Sequence, residues 1–245
     1  MSAVAPPPAV PAAEPAPSAI GRIVGAIVSP GETFASIARR PTWLAPMLLW
    51  TAISLGTTAA LLPRIDYEKV TRDSLERQHR TLPEDQMPAA IEQARKFSGI
   101  FGWGFGAIGP ALAALFTAVV CWGSFKAFGW DTKFSQAFGV TAHAFLPDVL
   151  KYPFVIFLIR RQESVDPNAI GDLLRSNLGF LVARDSSKAL HSVLLSLDVF
   201  SLWCVALFVI GMAAAAKIKR GPAAGVILTL WVLGVAIGAA WKAMF

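Results

Sequence analysis

The chain has 245 residues, 55% of them hydrophobic and only 16% charged, with a mean hydropathy of +0.54. A soluble chain carries about 25% charged residues, and here the apolar residues form long runs, so the composition excludes an ordinary soluble globule and points to a membrane protein. The net charge of +6 is spread over loops and span ends, without the basic face of a nucleic-acid reader, so no nucleic-acid partner is expected.

Residues 1–19 are Pro- and Ala-rich with one charged side chain. They cannot bury a core and are expected to be disordered or extended. The remainder, 20–245, reads as one membrane domain. Residues 20–28 and 30–40 read as helical pieces lying at the membrane interface. Ser29 and Glu32 have capping-box spacing, and Pro30 sits at the first helical position. Residues 43–62 carry no charge and are long enough for a first span, with Trp43 as interface anchor.

Residues 64–97 form a long polar loop of balanced charge. Two helices are expected there, over 66–80 and 83–96, the second opened by a capping box of Thr81 and Glu84. Glu76 and Arg80 are spaced as an i,i+4 pair, and His79 reads as a solvated histidine. The second span, 99–125, contains Gly104, Gly106 and Gly109, a literal G-x-G-x-x-G. No strand precedes it and Pro110 follows, so a dinucleotide site is not expected. Gly102 and Gly106 instead have GxxxG spacing for close helix approach. Cys121 here, like Cys204 later, lies in an apolar run. Neither has zinc spacing or a disulfide framework.

The third span, 134–159, is unusual because it holds His143, Asp148 and Lys151 beside Pro147 and Pro153. Ionisable groups at membrane depth face protein or water, and prolines free backbone groups that neighbours must satisfy. A central, kinked helix is expected. Asp148 and Lys151 are i,i+3 and share a face if the helix is continuous. Two readings are open: a proton or ion path, or a paired polar plug near a helix break. So few groups fit the plug better.

A second polar loop follows over 160–188, with Asp166-Pro167 as a helix start and residues 177–182 apolar enough to re-dock on the membrane. The fourth span, 191–216, holds Asp198 in its first half. Asp198 has three placements open to it: pairing with Lys151, pairing with His143, or headgroup depth. The fifth span, 222–244, repeats the GxxxG spacing at Gly234 and Gly238, with Trp231 and Trp241 as candidate anchors. The fold class is therefore all-α: a polytopic membrane protein with five transmembrane helices and amphipathic amino-terminal and loop helices.

Three stretches carry a resemblance. SPGETFASIARRPTWLAP (29–46), FKAFGWDTKFSQAFGVTAHAFLPDVL (125–150) and LDVFSLWCVALFVIGMAAAAKIKRGPAA (197–224) are similar, in order and spacing, to the prokaryotic Yip-domain family, relatives of the Ypt/Rab-interacting membrane proteins. The resemblance implies a five-span protein with a cytosolic amino terminus. For the eukaryotic relatives it implies a scaffold role in membrane traffic through small GTPases and one another. It implies no catalytic residue and no cofactor, and small GTPase binding is not supported by this sequence.

The function expected is a non-enzymatic membrane scaffold of the cell (plasma or inner) membrane. Its partners would be lipid, other membrane proteins or further copies of itself. The alternative is a small transporter or channel using the polar centre of the third span. Orientation divides the signals. The amino-terminal side carries Arg22, Arg39, Arg40, Lys126, Lys133, Lys217, Lys219 and Arg220, fewer Lys/Arg than the opposite loops. A raw positive-inside count thus favours an external amino terminus. The opposite residues lie mostly in long mixed-charge loops, and the cytoplasmic placement implied by the resemblance is preferred.

Overall fold

Residues 17–182 and 187–244 are described by a computed structural model of the chain. Most of the Pro/Ala-rich tail (1–16) lies outside the described residues, as does Arg184 of the third loop.

The chain opens with two short helices, α1 (Ala19–Val28) and α2 (Pro30–Arg39). Ser18 caps the first through a bond from the Gly21 amide. The helices meet at Ser29 with Pro30 in the first turn of α2, and Gly25 leaves no room for a side chain beside Thr33. The expected capping box is absent: the Ser29 side chain makes no cap bond, because this residue serves as the joint between the helices. Nor are these helices confined to an interface. Phe34 and Ile37 are fully buried in the main core.

The first span is α3 (Leu44–Leu61), followed by a 3₁₀ turn at Leu62–Arg64. Next comes α4 (Tyr67–Arg77), capped by Asp66 through the Lys69 amide. It ends in a turn with His79 at φ 50°. The second loop helix and the second span, expected as separate pieces, are one 41-residue helix, α5 (Met87–Ala127). Glycine at 99 weakens a helix without breaking it, and no proline stands between Pro88 and Pro110. Thr81 and Glu84 therefore cap nothing; Glu84 pairs with Arg72 at 3.3 Å instead. Likewise Arg72 takes Glu68 as its i,i+4 partner, and no Glu76–Arg80 pair forms among the described residues.

The third span is two helices, α6 (Phe134–Ala144) and α7 (Leu146–Arg160). They break at Phe145 because Pro147 has no N–H for the His143 carbonyl. The third loop holds a 3₁₀ turn at Pro167–Ala169 capped by Asp166, the short α8 (Ile170–Leu173) and a 3₁₀ turn at Gly179–Leu181. The fourth span, expected over 191–216, is also divided. Helix α9 (Lys188–Ser196) stops at Leu197, and α10 (Val199–Ala216) starts afresh after Asp198. The last helix is α11 (Arg220–Met244).

Five segments are long and apolar enough to cross a membrane: Leu44–Arg64, Met87–Ala127, Phe134–Arg160, Val199–Ala216 and Arg220–Met244. The fold is all-α and polytopic, with only isolated backbone bridges at Ile65–Val165 and Asn177–Asp198 among the described residues. The first bridge ties the two polar loops together, with the Val165 amide 2.7 Å from the Arg64 carbonyl and Lys69 near Asp166. The main core joins α2, α5, α6, α10 and α11 around Phe34, Phe125, Val140, Leu207 and Met212. At its tightest point Gly211 of α10 lies against Val140 and Phe34; a Cβ there would stand 2.5 Å from one and 2.8 Å from the other.

Candidate functional site

Among the described residues, the Asp198 side chain accepts four hydrogen bonds. It is 1% exposed. Its Oδ1 accepts from the Phe200 and Ser201 amides at 2.8 and 3.3 Å, capping α10. Its Oδ2 accepts from Lys151 Nζ at 3.1 Å and from the Ser176 hydroxyl. Three separate pieces of chain, α7, the third loop and α10, therefore end on one carboxylate. The loop is braced from behind. Asn177 Nδ2 donates to the Gly171 carbonyl at 3.0 Å, and its Oδ1 accepts from the Gly179 amide at 2.9 Å. His191 of α9 pairs with Asp172 at 3.0 Å.

Helix geometry places the cluster along α7: Lys151 lies nine residues before its end at Arg160, about 14 Å along the axis. Asp198 stands immediately before α10, the fourth candidate span. Of the pairings that sequence leaves open, Asp198 takes Lys151.

The other sequence-predicted residues separate. Asp148 does not pair with Lys151, which turns to Asp198, and its carboxylate has no hydrogen bond or ion pair among the described residues. It lines a cavity of about 330 Å³ bounded by α5, α7, α10 and α11, with Cys121, Ser201, Cys204, Phe208 and Trp231 around it. His143 is 1% exposed on α6. It bonds through Nδ1 to the Gly139 carbonyl at 2.9 Å and lines a different cavity with Arg22. A His143–Asp198 pair does not form.

Of the four glycines expected at helix contacts, Gly102 and Gly106 face α3. A Cβ at Gly102 would meet Leu62 at 3.2 Å, and one at Gly106 would meet Thr58 at 2.8 Å. Gly234 and Gly238 have nothing within 4 Å. Their GxxxG spacing marks no seam within this chain, because that face of α11 looks away from the bundle.

Sequence reasoning missed Ser176, Asn177 and Arg22. The first two are ordinary polar loop residues until the loop folds inward. Arg22 had a signal: it is the one charge between Ile20 and Val28.

A family model described as the Yip1 domain matches residues 24–241. That is nearly the whole described chain, and it takes in the two-part third span, the Lys151–Asp198 cluster, four candidate spans and most of the fifth. The chain belongs to the Yip1 domain family. No curated protein and no solved structure matches it. The Yip1 assignment agrees with the resemblance carried by the three stretches, and it makes the protein a multi-pass membrane protein of Yip type.

Chemically, the Lys151–Asp198–Ser176 cluster holds three elements together. The carboxylate spends both oxygens on four donors, and the lysine is drawn to it. Asp148 is the acidic group left facing open space in the bundle.

Proposed function

We propose that this Yip1 domain protein is a non-enzymatic scaffold that organises other membrane proteins, or further copies of itself, in the cell membrane, with its amino terminus in the cytoplasm. Family membership supports this reading. The observation that carries it is the state of the polar centre: Asp198, the least exposed carboxylate among the described residues, is consumed in joining α7, α10 and the third loop. A group bonded that fully is a fastener. Hydrolytic chemistry needs a nucleophile beside a base or a metal cluster, and His143 and His191 stand in different surroundings with different partners. Small GTPase binding is not part of the proposal.

Crosslinking in native membranes, followed by purification of the full chain, tests the scaffold. A partner or a second copy is expected in stoichiometric yield. Recovery of the chain alone, together with solute flux in proteoliposomes, would overturn it.

One observation favours a second reading, a small transporter or channel. Asp148 stands without a partner in an otherwise largely apolar cavity, and unpaired intramembrane carboxylates mark ion and proton paths. Flux that falls to the empty-liposome level on Asp148→Ala would support it. Flux in the wild type no greater than in empty liposomes would remove it.

A further inference from the structure

Arg22 is 4% exposed on α1, yet among the described residues it has no acidic partner. One nitrogen, Nη1, is spent on neutral acceptors: the Arg40 carbonyl at 2.8 Å and the Thr42 hydroxyl at 2.7 Å. Nε is buried with no hydrogen-bond partner at all, and no protein bond is made by Nη2. A guanidinium is always charged in a protein, and a buried charge without a counter-charge is costly. The two bonds made by Nη1 fix the plane of the group, Nε is sealed by protein atoms, and Nη2 is the donor left for a ligand. A guanidinium donor is a strong partner for a phosphate oxygen.

Arg22 lines a cavity of about 500 Å³, together with Pro41, Thr42, Trp43, Leu48 and His143. No Asp or Glu lines this cavity. His143 donates through Nδ1 to the Gly139 carbonyl, so Arg22 is the cation of the lining. The rim is membrane-facing: Trp43 and Leu48 are 47% and 60% exposed at the start of the first span. Tryptophan favours the headgroup level of a bilayer. A buried cation in the lining and apolar side chains at the mouth describe a group with a phosphate at one end and hydrocarbon at the other.

We propose that this cavity binds one phosphate-bearing anion, the headgroup of an anionic phospholipid, with Nη2 of Arg22 donating to a phosphate oxygen and Leu48 flanking the acyl chains. The site stands independently of the scaffold reading, and Arg22 falls before the region that the family model matches.

The test is native mass spectrometry of the full chain released from nanodiscs of equal phosphatidylglycerol and phosphatidylcholine. One phosphatidylglycerol per chain is expected to survive activation that strips phosphatidylcholine. Arg22→Gln is expected to lower that retention at least tenfold. Arg22→Lys keeps the charge without the fixed guanidinium plane and should fall between the two. Arg39→Gln removes an exposed cation from the neighbouring helix and should leave retention unchanged.

Equal retention of the two lipids by the wild type would overturn the proposal without reference to any variant, so a folding defect in Arg22→Gln cannot shield it. An equal loss in Arg39→Gln would also overturn it, in favour of general surface attraction. Addition of inorganic phosphate distinguishes the source of the anion. Displacement of the retained lipid by millimolar phosphate would mean that the cavity takes free phosphate, and the lipid assignment would fall.

Discussion

Around Gly211, α10 comes so close to α2 and α6 that a single methyl group would collide with Phe34 and Val140. Around Asp198, at the other end of the same helix, the neighbours are held by four directed hydrogen bonds to one carboxylate. The first region is specified by shape and the second by direction. The difference reflects what each must fix. Helices that are apolar on all sides gain little by burying hydrophobic surface in lipid, so their register comes from close packing. A polar loop that turns inward must satisfy its backbone and side-chain polar groups there, and it does so through a charged hub.

The comparison is broken most severely at the hub. Asp198→Ala removes the cap of α10 and leaves the partly buried Lys151 without its counter-charge. A loss of about 3–5 kcal/mol is expected, read as a fall in melting temperature in detergent. Asp198→Asn keeps a capping side chain and should cost less. If the two variants melt alike, the cap contributes nothing beyond the ion pair.

At the steric end, Gly211→Ala is expected to cost about 1–3 kcal/mol through overpacking. A variant as stable as the wild type would show that Phe34 and Val140 yield freely. A smaller effect is expected at Gly106→Ala, about 1 kcal/mol or less, because the obstructing atom is the Thr58 hydroxyl on a side chain that can rotate. The smallest change is at Gly234→Ala, where nothing stands in the way. Alanine restricts the unfolded chain there and should stabilise by about 0.4–1 kcal/mol. Destabilisation at Gly234, measured in native membranes but absent in detergent, would reveal a neighbouring molecule on that face.

The steric and directional regions were not equally legible in the sequence. Five apolar runs fixed the number of spans, and Pro147 marked the break in the third, because hydropathy and a missing N–H are local properties. The identity of the partner of Lys151 is not local. Asp148 three residues away offered a helical pairing, and the choice of Asp198 depends on Ser176 and Asn177 drawing the third loop inward. The same limit applies to Arg22. Its charge was visible, but its burial exists only once the chain reverses at Ser29 and lays α1 against α6. GxxxG spacing gave one seam, at Gly102 and Gly106, and one false lead, at Gly234 and Gly238. Spacing identifies a smooth face without saying what meets it.

Helix α5 is 41 residues long, roughly 60 Å, about twice the hydrocarbon thickness it crosses. Its outer turns carry a stack of Phe97, Phe101 and Phe105, and its inner turns run through Gly106 and Ala114 into the bundle. With no joint between Met87 and Gly109, a force on the outer end is delivered to the embedded end as torque. Anything that leans on the projecting part tilts the transmembrane part with it, as a mast moves its footing.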